Sequence, residues 1–146
     1  MRVLGIDYGG RRIGIAASDA TGMLARPVGT LEGTANHAVA VTRVLDEVAR
    51  LEADGDPIGA IVLGLPRRLD GSPNDQTPIV EAFAARLRAA CGRPLVLQDE
   101  RLTSHEADGL LAIRERDWRV RKKKLDAVAA AVILQEYLDA QGPHGA

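Results

Sequence analysis

Residues 3–17 read Val-Leu-Gly-Ile-Asp-Tyr-Gly-Gly-Arg-Arg-Ile-Gly-Ile-Ala-Ala, and their reading decides the architecture. One apolar run, Val3 to Ile6, ends at Asp7; a second, Ile13 to Ala17, follows across Gly9-Gly10-Arg11-Arg12. Two β-prone runs joined by a glycine-rich turn predict an antiparallel hairpin. Met23 to Leu31, broken by Pro27 and Gly29, suits a third strand at the sheet edge, where proline's missing N–H costs no ladder bond. The period then changes. Val41, Val44 or Leu45, Val48 and Leu51 recur at helical spacing behind Thr34, a predicted N-cap, and the pattern runs through Glu52. Ala60 to Leu65 is an uninterrupted apolar run, as expected of a central strand buried on both faces.

After a polar stretch from Pro66 to Gln76, Thr77-Pro78 predicts an N-cap followed by proline in the first helical position, with Val80, Phe83, Leu87 and Ala90 continuing the helix. Pro94 to Gln98 predicts a further parallel strand closing on Asp99-Glu100. Thr103 and Glu106 fit the capping box of a helix carrying Leu110, Leu111 and Ile113, which leads into a basic loop. Leu125 to Leu138 is apolar nearly all round and predicts a helix buried against the sheet. The order βββαβαβα describes a single α/β domain, a mixed five-stranded sheet with helices on both faces, over residues 1–140, with 141–146 as a short tail.

Composition agrees with one domain. The 146 residues are near the usual domain size, and 46% hydrophobic against 27% charged residues excludes disorder for most of the chain. Aromatics are only 3%, so the core is built from Ala, Val, Leu and Ile. No run reaches the roughly 18 apolar residues of a membrane span, and MRVLGIDYGG is too polar for a signal peptide; a cytoplasmic protein with no membrane partner is expected. Cys91 is the single cysteine, which excludes an internal disulfide or a CxxC zinc site and reads as a small buried hydrophobe.

Net charge is −1, yet charge is unevenly placed. All three lysines are consecutive, Lys122, Lys123 and Lys124, in a chain that otherwise uses arginine. From Arg114 to Lys124 seven cations face Glu115 and Asp117, a local +5. Such a run is either a solvated loop or a contact to a phosphate backbone, where neutralised phosphates release counterions and binding weakens with salt. Trp118 lies inside it, positioned to pin the segment to the body or to stack on a base.

Three carboxylates have unusual neighbours. Asp7 ends the first strand, Glu100 ends the last, and Asp126 opens an otherwise apolar helix. Open α/β sheets bind ligands outside the carboxyl ends of their strands, where Asp7 and Glu100 both fall. Gathered acids repel one another unless a cation is present, and oxygen-only ligands favour Mg²⁺ or Mn²⁺, one ion or two. Such ions serve in-line attack of water on a phosphodiester. The alternative is that Asp7 caps a turn, Glu100 pairs with Arg101, and Asp126 is an acid at a helix N-terminus. Asp99 competes with Glu100 for the inward direction.

Four blocks in order, Gly5-Ile6-Asp7-Tyr8-Gly9 with Arg12-Ile13-Gly14-Ile15-Ala16, Val62-Leu63-Gly64-Leu65-Pro66 with Asp70-Gly71-Ser72, Asp99-Glu100-Arg101-Leu102-Thr103, and Lys123-Lys124-Leu125-Asp126-Ala127 with Ala129-Ala130, resemble the YqgF/RuvX family over nearly the entire chain. The resemblance implies an RNase H-like fold and a metal-dependent nuclease that processes the 5′ end of 16S rRNA precursor. Holliday-junction resolution, in the manner of the RuvC group, is the alternative. Carried over block by block, the family's acids fall on Asp7, Glu100 and Asp126, as catalytic residues and metal ligands. Arg67-Arg68 and Ser104 depart from the family's usual residues, a matter for substrate contacts more than for the metal centre.

Expected partners are nucleic acids, structured RNA first and branched DNA second, contacted by Arg101, Arg119, Arg121, Lys122, Lys123 and Lys124. Arg11, Arg12, Arg67 and Arg68 are further candidates for phosphate contacts, while His37, His105 and His144 show no metal spacing. Monomer and homodimer both fit. Two other classes share features of the sequence. An Asp-x-Gly hairpin also serves ATPases of the sugar-kinase and actin type, but these clamp ATP between two domains, which 146 residues do not supply, and no Walker-type loop occurs. A non-catalytic nucleic-acid-binding module would keep the basic segment and use its acids only structurally.

Overall fold

A computed structural model describes residues 1–100 and 118–141, with backbone alone for 118–123. The chain runs β1 (Arg2–Tyr8), β2 (Arg12–Ser18), β3 (Ala25–Glu32), α1 (His37–Ala53), β4 (Ile58–Leu65), α2 (Thr77–Cys91), β5 (Leu95–Asp99) and α3 (Trp118–Ala140). The predicted hairpin is present: β1 and β2 pair antiparallel, Leu4 opposite Ala17 and Asp7 opposite Gly14, closed by Gly9 N donating to Arg12 O at 3.1 Å. The sheet has the order β3-β2-β1-β4-β5, with β4 parallel to β1 and β5 parallel to β4. The proline-containing β3 lies at one edge, as Pro27 requires.

Alternation along the strands divides the core into two layers. Leu4, Ile6 and Tyr8 of β1, Ile13 and Ile15 of β2, and Ile61, Leu63 and Leu65 of β4 pack on α1 and α2, around the fully buried Phe83. Val3, Ala16, Ala60 and Val62 pack on α3 through Ala130, Ile133 and Leu134. Helices therefore cover both faces, and Cys91 is buried in the first layer.

Three helix starts differ from expectation, each for a local reason. Asn36, not Thr34, caps α1: its Oδ1 accepts from Ala38 N and Val39 N, while Thr34 Oγ1 accepts from Asn36 N. Thr77 lies inside α2 rather than capping it, because its hydroxyl is committed to the loop, donating to Pro66 O at 2.5 Å and accepting from Asn74 N at 2.9 Å. α3 begins at Trp118, seven residues before the predicted start at Leu125. Arg119 to Lys124 thus belong to a helix and not to a loop; arginine and lysine are good helix formers, so a basic run extends an apolar helix without a break. The predicted helix following Thr103 lies outside the described residues.

Candidate active site

Strand parity sends Asp7 to the α3 face. Val3 packs in the α3 layer, and a Cβ placed on Gly5 would meet the Leu134 side chain of α3 at 2.7 Å, so the next residue of that parity, Asp7, emerges beneath the same helix at the end of β1. Glu100 reaches the same place from β5. Its N–H donates to Leu65 O at 3.2 Å, which continues the β4–β5 ladder one residue past Asp99, and Gln98 stands opposite Gly64. Gly64 leaves the room: a Cβ there would lie 2.9 Å from Glu100 Oε2 and 2.6 Å from Ile133 Cδ1. Asp99 points elsewhere, 4.0 Å from Arg67, which answers the competition between the two acids in favour of Glu100.

The two carboxyl groups are hydrogen-bonded to each other although their residues are 93 positions apart. Burial pushes the Asp7 carboxyl up to about 7, with the charge of Asp126 adding to it and the Glu100 hydrogen bond opposing. Burial likewise pushes Glu100 up to about 8, reinforced by the charges of Asp7 and Asp99 and by the bond to Asp7. The pair titrates as a unit and holds a shared proton near neutrality. An Asp7 that merely capped an exposed turn would have none of this desolvation, and the alternative pairing of Glu100 with Arg101 falls outside the described residues.

Asp126 approaches from the helix. It is in the third turn of α3, not at its N-terminus, so the helix-dipole explanation of this acid is excluded. Gly14, opposite Asp7 on β2, lets α3 descend: a Cβ at that position would be 2.0 Å from the Asp126 carbonyl oxygen. The Asp126 carboxylate raises the pKa of Asp7 by its charge but is itself held by Arg12, whose Nε donates to Oδ2 at 2.5 Å. Asp7 and Glu100 are thus in contact and Asp126 is beside them on Arg12. Among the described residues no three acids, histidines or cysteines are drawn close enough together to form a finished metal cage.

The other predicted contacts sort by position. Lys124 is exposed on α3, and Arg119, Arg121, Lys122 and Lys123 lie on the first two turns of that helix, their side chains outside the described residues, as is all of Arg101. Arg67 lies at the rim beside Asp99, and Arg68 braces its own loop, donating from Nε to Pro73 O at 3.2 Å. Sequence reasoning named Arg12 as a phosphate contact and missed that it serves as the counter-ion of Asp126. It also passed over Gly14 and Gly64, although glycine inside a strand is a signal of close approach by another group.

Comparison with known proteins gives the family and the fold. The family model described as RuvX, Holliday junction resolvase, matches residues 1–140. A protein of Anaeromyxobacter dehalogenans (strain 2CP-C) named "Putative pre-16S rRNA nuclease" is 42% identical over 145 residues, covering 98% of this chain and 100% of the relative. A protein of the same name from Geobacillus kaustophilus is 37% identical over 143 residues, covering 97% and 99%. Among solved structures, T. thermophilus RuvC in complex with a Holliday junction substrate superposes with a TM-score of 0.57 at 17% identity, covering 97% of this chain and 95% of that one. The yeast mitochondrial Holliday junction resolvase gives 0.50 at 14%, covering 95% and 78%. These structural likenesses establish the RNase H-like fold. With a family model spanning all of the described residues except Gln141 and relatives matched from end to end, the chain belongs to the RuvX family.

Proposed function

We propose that this protein is a divalent-metal-dependent nuclease that hydrolyses phosphodiesters in the 16S rRNA precursor in the cytoplasm. The observation that carries the reading is the half-buried Asp7–Glu100 pair at the carboxyl ends of β1 and β5. Two desolvated carboxyls sharing a proton are a destabilising arrangement by themselves and a suitable oxygen donor set for a hard cation. Asp7 and Glu100 would hold Mg²⁺ or Mn²⁺ directly, and Asp126 would join them on leaving Arg12. When bound, such an ion supplies Lewis acidity at phosphorus and activates water for in-line attack.

The chain's own residues do the rest. Because burial holds the Asp7 and Glu100 carboxyls protonated toward neutral pH, holding a cation there would require that proton to leave and would make the site pH-dependent. Arg12, bonded to Asp126 in the structure, would become available to a non-bridging phosphate oxygen if Asp126 turned to a cation. By helical spacing, positions 119, 122 and 123 share a side of α3 with position 126, so the basic turns carry a backbone toward the acids. Arg67 at the rim would extend the same basic track, and Arg101 follows Glu100 in the sequence as a further candidate contact.

RNA is preferred as substrate because the full-length relatives at 35–42% identity carry the rRNA nuclease name. The resolvase description of the family model keeps a four-way DNA junction as the second reading. The test incubates wild type and Asp7→Asn with precursor 16S RNA and with a four-way junction, each in Mg²⁺, Mn²⁺ or chelator. Metal-dependent cleavage of RNA by wild type alone, at equal RNA affinity of the two proteins, is expected. Cutting of the junction alone would move the substrate to DNA, and binding with no cutting of either would make the protein a binding module.

A further inference from the structure

Tyr8 follows Asp7 on β1 and therefore emerges on the opposite face of the same sheet end. There it lines a cavity of about 420 Å³ together with Thr34, His37, Gln76 and Ile79. Its ring stacks on Phe83 at 3.9 Å between centroids, with the His37 ring edge-on at 5.9 Å. Tyr8 is 9% exposed, and its hydroxyl is buried with no hydrogen-bond partner among the described residues. A buried hydroxyl left unpaired costs about 1–3 kcal/mol, a cost that a hydrogen-bonding partner would remove. Other hydrogen-bonding groups are also free to meet one. Gln76 stands at the N-cap of α2 yet its carboxamide makes no cap bond, and Thr34, which accepts from Asn36 N, keeps its O–H for donation.

Those features define the ligand's chemistry. An apolar wall, including the 43% exposed Ile79, asks for a flat hydrophobic body. A hydroxyl and a carboxamide, which offer donors and acceptors side by side, match the edge of a nucleobase. The N-termini of two long helices, α1 and α2, border the cavity and favour an attached anion. The volume is at the small end of ligand pockets and suits one nucleoside.

We propose that this cavity takes one unpaired nucleobase of the substrate strand, close to the phosphodiester held at Asp7 and Glu100, with the nucleotide's phosphate at the helix ends. The proposal rests on the nuclease reading for its choice of a substrate nucleotide over a free one.

The test measures binding only, in chelator, so that it is read independently of cleavage. Single-stranded RNA oligonucleotides with one abasic position each, and separately AMP, GMP, CMP and UMP, are titrated into wild type, Tyr8→Phe and Gln76→Ala. Tyr8→Phe removes an unpartnered hydroxyl and keeps the stacked ring, so it is expected to melt at or above wild type. Loss of the base at one position should weaken wild-type binding about three- to tenfold, the effect of a hydrogen bond or two, and should cause no further loss in Gln76→Ala. Equal effects of every abasic position in wild type and variant, with monophosphates indifferent to both substitutions, would overturn the proposal. Monophosphate binding that falls in the variants while no strand position couples would assign the cavity to a free nucleotide and overturn the substrate assignment. Failure here with metal-dependent cleavage still lost in Asp7→Asn leaves the nuclease reading standing.

Discussion

Replacing Asp7 by Asn tests the acidic pair through stability alone. In the folded chain the Asp7 pKa stands at about 7 against an ordinary 3.8, and Glu100 at about 8 against 4.5. An acid with a raised folded pKa keeps its proton in the native state to higher pH than in the unfolded state. Between about pH 4 and about pH 8 the native state therefore binds more protons, and stability falls as pH rises. For Asp7 the difference corresponds to at most about 4 kcal/mol once both states are ionised. With water reaching the partly exposed residues, about 2–4 kcal/mol is expected from removing one member, or about 6–12 °C in melting temperature for a domain of this size. Thermal melts in chelator at steps from about pH 4.5 to about pH 8.5, plotted as variant minus wild type, cancel the titration of other groups. The difference should be near zero at the acid end and favour Asp7→Asn increasingly toward the alkaline end. A difference that is flat with pH refutes the burial argument and with it the shared proton.

Further outcomes follow from the same geometry. At about pH 8, Mg²⁺ or Mn²⁺ at about a hundred times its dissociation constant should raise wild-type stability by about 3 kcal/mol, reversibly with chelator, and should leave Asp7→Asn unmoved in melts. Gly14→Ala drives a methyl into the Asp126 backbone and should cost about 1–3 kcal/mol by denaturant titration, with loss of cleavage as α3 lifts Asp126 away; an unchanged midpoint would contradict the close approach. Phe83→Ala, at a fully buried ring stacked on Tyr8, should cost about 3–5 kcal/mol in the same titration. Alanine at Lys122, Lys123 and Lys124 together should lower RNA affinity and flatten its dependence on salt while cleavage chemistry persists; affinity and slope both unmoved would remove the basic turns from the interface.

How much of this was legible in the sequence depends on the kind of signal. Strand parity and glycine turns are local and periodic, so the β1–β2 hairpin, the doubly buried β4 and the parallel β5 were readable from residues alone. Helix starts were less so, because Thr34 and Asn36 are both good caps and only the backbone decides which one is used. The basic run before Leu125 read as a loop because it has no apolar stripe, although its residues are strong helix formers. The three acids could be singled out by their apolar neighbours, and whether Asp99 or Glu100 turns inward needed the β4–β5 register and Gly64. The Arg12–Asp126 pair spans 114 residues and leaves no local trace. The same holds for the Tyr8 cavity, whose walls come from β1, α1 and α2.

Adjacent positions on β1 face opposite ways, the acid toward α3 and the phenol toward α2. A slip of the hairpin by a single residue would exchange them, placing an aromatic ring among the carboxylates and a carboxylate against Phe83. The bond from Val3 N to Ser18 Oγ, 2.8 Å long and buried, clamps the far end of the ladder against such sliding. Length changes in the Gly9-to-Arg11 turn should therefore be far less tolerated than substitutions there, and a deletion library across that turn should yield almost no soluble variants.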